Sequence, residues 1–158
     1  MPEIRQATVA EVDGLTRVER DVYVGHAYSS TVLRQFLDIA GPLVIVAVED
    51  GEVIGHTIAL PAVSEGEAWL VALAVRGDWR KRGIGRSLSR LVLSRAVDHG
   101  YRTIHLTVEP DNQIAIGLYE SLGFTTEGKV PDYFGKDEPR LVMRWSAKRS
   151  EQLLHAFA

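Results

Sequence analysis

The chain has 158 residues, of which 46% are hydrophobic and 25% charged, a composition that suits one domain with a sizeable core. It contains no cysteine, which excludes disulfides and a cysteine nucleophile and fits a reducing compartment. No apolar run approaches the roughly 20 residues that span a membrane, and the N-terminus has no signal-peptide pattern. The net charge of −3 disfavours nucleic acid. We therefore expect a cytoplasmic domain that binds no membrane, nucleic acid or metal.

The first half of the chain predicts strands interrupted by two helices. The spacing of Thr8 and Glu11 is typical of a capping box that opens a helix. A second helix begins near Thr31 and is stopped by Gly41–Pro42. The turn Asp50–Gly51 joins two apolar runs into a hairpin. The strands predicted in this part cover 4–7, 43–48, 53–60 and 67–75.

The second half predicts helices that alternate with strands. One helix runs from about Gly83 to His99, and another begins at Asn112, whose side chain is a good cap, and stops at Gly123. Further strands are predicted over 101–108, 124–130 and 140–146.

The order of elements predicts an α/β domain of the α+β type over residues 1–146. Its mixed, mostly antiparallel sheet has about seven strands and is flanked by about four helices. The tail 147–158 is expected to form a short helix or to fray.

The basic turn, Arg80–Arg86, reads Arg-Lys-Arg-Gly-Ile-Gly-Arg and predicts an anion site. Gly83 and Gly85 let the backbone turn tightly and approach a ligand, and the free N–H groups of the next helix favour negative charge. The turn lacks the lysine and hydroxyl residue of a P-loop, and Leu88 stands where a dinucleotide fingerprint needs a third glycine or alanine. A cradle for another phosphate-bearing molecule and a purely structural turn remain as alternatives.

The basic turn is followed by a second motif, with Asn112, Ala115, Leu118, Tyr119, Gly123 and Phe124 at fixed spacing. Together the two motifs resemble the GCN5-related N-acetyltransferase (GNAT) family, and the resemblance covers most of the chain between 4 and 145. It implies that acetyl-CoA is the co-substrate. The residues whose backbone amides would then hold its pyrophosphate are Lys81, Arg82, Gly83, Ile84, Gly85 and Arg86. The main chain of Leu73, Ala74 and Val75 would pair with the pantetheine arm as an added strand.

Tyr119 is the candidate general acid. It follows Asn112 by two helical turns, so the two share one helix face. A tyrosine stays protonated at neutral pH and can protonate a departing thiolate, and the resemblance gives Tyr119 this role and places Asn112 at the coenzyme. The alternatives are a ring that only packs against the sheet and an asparagine that only caps its helix.

The general base is less well defined. Glu67 is the candidate, provided that burial raises its pKa; His105, Glu109 and water are the alternatives. The branch that the chain resembles most, the ribosomal-protein and peptide N-terminal acetyltransferases, has a glutamate where this chain has Thr107, which cannot act as a base. Since cysteine is absent, no acetyl-cysteine intermediate is available, and direct attack in a ternary complex is predicted.

The acceptor slot is expected between two loops. Residues 131–134 and 137–143 resemble the closing segment of peptide α-amine acetyltransferases, in which Tyr133 would flank a cationic amine attracted by nearby acids. Residues 23–31 would form the other wall. The sequence thus predicts an N-acetyltransferase that acts on a protein or peptide N-terminus or on a small-molecule amine, with a homodimer as one arrangement. The alternative is a non-catalytic regulatory module that binds acyl-CoA.

Overall fold

The computed structural model describes residues 1–147 of the chain. Its strands are β1 Glu3–Gln6, β2 Val44–Glu49, β3 Glu52–Pro61, β4 Glu67–Val75, β5 Thr103–Val108, β6 Thr125–Val130 and β7 Arg140–Ser146. Its helices are α1 Val12–Val22, α2 Ser30–Ala40, α3 Ile84–Asp98 and α4 Gln113–Ser121. The predicted fold class is therefore confirmed, whereas the prediction for the tail beyond Ala147 lies outside the described residues. Within residues 1–147 no helix is long and apolar enough to cross a bilayer.

The seven strands form one sheet in the order β1-β2-β3-β4-β5-β7-β6. All neighbouring strands are antiparallel except β4 and β5, which are parallel. The β4–β5 ladder covers only the pairs Glu67–Thr103, Ala68–Ile104 and Trp69–His105. Beyond Trp69 the two strands separate, so the sheet has a gap near its middle.

A helix layer covers each face of the sheet. Apolar residues of α3 and α4, such as Leu88 and Ile116, pack into one core with β5 and β7. Leu15 of α1 and Leu33 of α2 pack into a smaller core on the opposite face, against β2 and β3. Burying one leucine in such a core contributes about 2 kcal/mol, so both layers hold the sheet firmly on either side of the gap.

A β-bulge in β4 lies next to the gap. Ala59 of β3 pairs with Leu70, whereas the preceding Ile58 pairs with Ala72, so Val71 is the extra residue. Leu70 packs in the α3–α4 core and Ala72 in the α1–α2 core, although the two are separated by only one residue. A bulge bends the strand that carries it, and this bend explains why β4 leaves β5 at this point.

Two local details differ from the sequence predictions. The first helix was expected at the Thr8–Glu11 box, but a 3-10 turn over Val9–Glu11 precedes α1. The Thr8 amide and hydroxyl both donate to the Glu11 carboxylate, so the box forms and caps this turn. In addition, α2 buries Leu33 completely, a residue that we did not predict to face inward.

Candidate active site

The gap between β4 and β5, here called the β4–β5 cleft, exposes a row of backbone groups. On its far side β5 pairs with β7 along its whole length, from Thr103 to Val108. On its near side, residues 70–75 of β4 pair only with β3. An unpaired strand edge of this kind can accept an extended ligand by main-chain hydrogen bonds. The predicted binding segment Leu73–Val75 lies on this edge.

The basic turn lies directly beyond β4 and leads into α3. Lys81 and Gly83 have φ angles of +63° and +79°, and Gly83 is the N-cap of the helix. The first backbone amide of this turn and helix that donates an i to i−4 hydrogen bond is that of Ser87, which bonds to the Gly83 carbonyl at 3.1 Å. Within residues 1–147 no backbone N–H of residues 81–86 donates a hydrogen bond. These donors at a helix N-terminus form the arrangement that binds phosphate.

Gly85 is not required by the fold itself. Its φ angle is not positive, and a Cβ there would lie in ordinary contact with the Leu118 side chain, at 3.7 Å. The protein therefore has room for alanine at this position. A Cβ at Gly85 would point toward Leu118 and toward Val75 at the end of β4, and glycine at this position leaves that space free for a ligand that approaches the backbone.

Cationic side chains surround the basic turn. The Arg80 Nε donates to the Val75 carbonyl at 3.1 Å, which links the turn to the end of β4. The Arg82 guanidinium lies 4.7 Å from the centre of the Trp79 ring. Lys81, Arg82 and Arg86 are exposed. Their charges add to the helix dipole and make the mouth of the cleft attractive to an anion.

Asn112 and Tyr119 mark the two ends of α4. The Asn112 Oδ1 accepts the Ala115 amide at 3.2 Å, so this exposed side chain is the N-cap of the helix, one of the two roles considered for it. Tyr119 is only 8% exposed, and its ring packs edge-on against Phe124 at 5.6 Å. Burial, together with the nearby Tyr23 phenol, raises the pKa of Tyr119 well above its ordinary value.

The Tyr119 hydroxyl is nevertheless available to a ligand. Within residues 1–147 it makes no hydrogen bond, and it is not among the polar atoms that are sealed from solvent without a partner. A buried ring whose hydroxyl stays accessible and protonated can donate to a group that enters the cleft. The packing role and the proton-donating role proposed for Tyr119 are thus compatible.

Glu67 and His105 are brought together at the apex of the cleft. The Glu67 Oε1 lies 3.2 Å from the His105 Nε2, and the His105 ring lies 4.9 Å from the Trp69 ring. The hydrogen bond from His105 lowers the pKa of the Glu67 carboxyl. This direction is opposite to the one on which we based its role as a base, because the imidazole outweighs the effect of burial.

Two further groups extend this cluster. The Glu127 carboxylate of β6 lies 3.9 Å from the His105 Nδ1, and Arg144 of β7 pairs with His105 across the sheet. Glu127 was not predicted as a site residue, because the order of strands in the sheet, and not spacing along the chain, brings β6 next to His105. Glu109 lies apart from the cluster: it is exposed and lies 3.7 Å from Arg140. Thr107 faces Val142.

The segment 23–31 contacts the cleft through two tyrosines. The Tyr23 hydroxyl donates to the Leu73 carbonyl at 2.6 Å, and the Tyr28 hydroxyl donates to the Val71 carbonyl at 3.2 Å. Burial and, to a smaller degree, the negative charge of the Glu19 carboxylate raise the pKa of Tyr23 to about 12. The loop 131–139 on the other side exposes Tyr133 and Phe134.

The acids of that second loop are partly engaged within it. The Asp132 Oδ1 accepts the Asp137 amide at 2.9 Å, and Glu138 lies 3.5 Å from Arg140. Within residues 1–147 no group of three or more His, Asp or Glu side chains is arranged to hold a metal ion. This loop therefore exposes aromatic rings, and two of its acids, Asp132 and Glu138, have partners close by in the chain.

A strand edge open along a cleft, with the unbonded amides of a helix N-terminus at its mouth, suits an extended ligand that carries phosphate. The model of the acetyltransferase (GNAT) family matches residues 12–124, more than half of the chain. The chain therefore belongs to this family.

Relatives and solved structures agree with the assignment. The chain is 39% identical to the [ribosomal protein bS18]-alanine N-acetyltransferase of Escherichia coli, over 52% of this chain and 55% of that protein. It is 32% identical to the human N-acetylaspartate synthetase, over 67% of this chain and 40% of that protein. It spans 36 to 48% of the length of four mammalian relatives that it matches.

The fold is also that of solved acetyltransferase structures. Ard1 from Thermoplasma volcanium superimposes with a TM-score of 0.82 over 92% of this chain and 97% of that one, at 21% identity. The PaiA N-acetyltransferase from Thermoplasma acidophilum, solved in complex with coenzyme A, gives a TM-score of 0.76 over 92% and 99% of the two chains, at 19% identity.

Proposed function

We propose that the protein transfers the acetyl group of acetyl-CoA to a primary amine, by direct attack in a ternary complex. The amine nitrogen forms a bond to the thioester carbonyl carbon and loses a proton, the carbon–sulfur bond breaks, and the thiolate leaves with a proton. The observation that carries the proposal is the β4–β5 cleft, whose open β4 edge leads to the free amides of the basic turn.

The donor half of the reaction rests on backbone groups. The amides of residues 81–86 bind the pyrophosphate, and the β4 edge from Leu73 to Val75 pairs with the pantetheine arm. Within residues 1–147 the amides of residues 81–86 donate no backbone hydrogen bond, which supports this role, because unpaired N–H groups at a helix N-terminus stabilise bound anions. On the β4 edge the Leu73 and Val75 carbonyls already accept from Tyr23 and Arg80, so its N–H groups are the ones offered to the ligand. Asn112, which caps α4, lies at the coenzyme as the family resemblance implies.

Tyr119 protonates the leaving thiolate. Its raised pKa keeps the hydroxyl protonated at any physiological pH. A thiol has an ordinary pKa near 8.5 and a tyrosine one near 10, so the unperturbed transfer is a small uphill step. Burial raises the pKa of Tyr119 and therefore increases the free energy that the transfer costs. A well-placed proton donor is nevertheless worth roughly 100-fold or more in rate.

Glu67 and His105 together take the proton of the attacking amine. The carboxylate stays ionised because its pKa is lowered, so it orients the imidazole and stabilises the charge that the imidazole gains. His105 is then the group that accepts the proton, directly or through water. A carboxylate-held imidazole is a well-suited general base near neutral pH.

The acceptor is the α-amine of a protein or peptide N-terminus or a small-molecule amine. The names of two relatives describe one of these classes each. The [ribosomal protein bS18]-alanine N-acetyltransferase is named for a protein acceptor, and the N-acetylaspartate synthetase is named for a small-molecule product. The aromatic pair Tyr133–Phe134 on the rim of the open face favours a peptide, which offers more surface to such rings.

Release of free thiol from acetyl-CoA, measured with peptides of varied N-termini and with small amines, tests the proposal. Turnover with at least one amine and intersecting initial-rate lines are expected. Parallel lines typical of a ping-pong mechanism would contradict direct attack. Tight coenzyme binding without turnover on any amine would favour the regulatory module. The homodimer and the cytoplasmic location stay predictions.

A further inference from the structure

Three consecutive carbonyls of the β4 bulge are bonded by side-chain hydroxyls. Tyr28 donates to Val71, Thr57 to Ala72 and Tyr23 to Leu73, at 3.2, 2.8 and 2.6 Å. These donors come from the α1–α2 segment and from β3. Strand carbonyls ordinarily bond to the neighbouring strand, so this bulge is held by side chains where its own ladder is interrupted.

The directions of the backbone hydrogen bonds show which groups of β4 face the cleft. The Arg76 amide donates to the Ile54 carbonyl of β3, and the polar groups of a strand alternate between its two edges. The backbone groups of Leu73 and Val75 therefore face the cleft. Since a trans peptide is planar, the bond from Thr57 to the Ala72 carbonyl on the β3 side turns the Leu73 N–H to the opposite, cleft side.

A buried pair of ionisable side chains lies behind the two tyrosines. Glu19 and His56 are 1% and 0% exposed at their side chains, with the Glu19 Oε2 3.0 Å from the His56 Nε2. The Glu19 Oε1 accepts the Tyr28 amide at 3.0 Å, and the Glu19 backbone carbonyl accepts the Tyr23 amide at 2.8 Å. One residue of α1 thus holds both tyrosines.

The Glu19–His56 pair contributes little to the stability of the fold. Within residues 1–147, the buried side-chain atoms that lack a hydrogen-bond partner are the Glu19 Oε2 and both His56 ring nitrogens, so the pair is in contact but off the line of a hydrogen bond. Burying two ionisable groups costs more than such a contact returns, and apolar residues of similar size often replace them without loss. A role in positioning the two tyrosines explains why this pair is buried although it adds little to stability.

We propose that the hydroxyls of Tyr23, Thr57 and Tyr28 form a clamp that fixes the peptide planes of the β4 bulge, and that the Glu19–His56 pair holds this clamp in place. The clamp presets the Leu73 N–H to receive the coenzyme. These five are positioning residues, and their role rests on the proposed acetyl transfer. Tyr23 and Tyr28 lie in the segment that the sequence analysis assigned to one wall of the acceptor slot, whereas Glu19, His56 and Thr57 were not predicted as site residues.

Removing the clamp hydroxyls one at a time tests this role. Tyr23→Phe, Thr57→Val and Tyr28→Phe keep the packing volume, and Tyr101→Phe is the matched control, because Tyr101 is half-buried and lies outside the cleft. We expect the dissociation constant of coenzyme A, measured by calorimetry, to rise roughly 3- to 10-fold in each clamp variant. The chemical shift of the Leu73 amide in NMR spectra of the free protein should also change in the clamp variants, and the control should change neither quantity.

The outcomes separate the clamp from the proposed function. Unchanged coenzyme affinity and an unchanged Leu73 amide chemical shift in all three variants, with turnover of the unaltered protein intact, would overturn the clamp and leave acetyl transfer standing. An unaltered protein that neither binds coenzyme A nor acetylates any amine would overturn both.

The Glu19–His56 pair is tested by the double variant Glu19→Leu with His56→Leu, which leaves no lone buried ionisable group. We expect its unfolding midpoint to stay near that of the unaltered protein, while the dissociation constant of coenzyme A rises several-fold. A lowered midpoint with unchanged affinity of the folded fraction would assign the pair to stability alone and remove it from the proposal.

Discussion

The donor half and the acceptor half of the candidate site are built in different ways. The donor half, the basic turn with the β4 edge, offers backbone groups whose geometry follows from local conformation. The acceptor half is a cluster of side chains from four strands: Glu67, His105, Glu127 and Arg144. A backbone site tolerates most changes of side chain, whereas a side-chain site depends on individual atoms. Single substitutions should therefore separate binding from chemistry.

The largest effect is expected from Tyr119→Phe. The hydroxyl matters only as the thiolate forms, so kcat should fall by roughly 100- to 1000-fold. The dissociation constant of coenzyme A should stay within about twofold of that of the unaltered protein, because the ring keeps its contact with Phe124. Steady-state kinetics with coenzyme calorimetry make the comparison, and unchanged kcat would show that Tyr119 only packs.

The Glu67–His105 pair should behave as one unit. His105→Gln and Glu67→Gln are each expected to lower kcat by about 10- to 100-fold, and the double variant should be little slower than the slower single one, since the two share one proton-accepting task. The matched control is Glu109→Gln, an exposed carboxylate outside the cluster. Additive losses in the cycle would contradict a joint role.

Gly85→Val probes the donor half. A β-branched side chain on the first turn of α3 obstructs a ligand that approaches the backbone, so the dissociation constant of coenzyme A should rise about 10-fold or more. Gly117→Val is the matched control, because Gly117 is an exposed helical glycine with no atom within 4 Å of its Cβ position. Normal coenzyme binding by Gly85→Val would refute the phosphate-binding turn.

The smallest effect concerns alkaline stability. The pKa of Tyr23 is raised to about 12 by burial. The unfolded chain therefore ionises this phenol first, near its ordinary pKa of about 10. The stabilising contribution is present below pH 10 and is lost as the pH rises through about 12. Urea unfolding at pH 9 and pH 11 should show about 1 kcal/mol less loss of stability in Tyr23→Phe than in the unaltered protein. An equal loss in both would contradict the buried neutral phenol.

The helices and strands could be predicted from the sequence because the patterns that determine them are local. The Asp50–Gly51 turn, the cap at Asn112 and the apolar alternation of 67–75 and 140–146 each act through neighbours in the chain, and the corresponding elements lie where they were predicted. The buried residues Glu19 and His56 were not readable in this way. Their polarity argues for the surface, and only the packing of α1 on β3 brings them together.

The sequence by itself determined the helices, the strands and the basic turn, since glycine conformation and helix capping are set within a few residues. It also pointed to the family through two motifs of fixed spacing. The tertiary structure decided how the separate strands meet. The β4 bulge, the short β4–β5 ladder and the order β5-β7-β6 place Glu67, His105 and Glu127 side by side. Register between distant strands depends on the packing of both faces of the sheet, a property that no local pattern encodes.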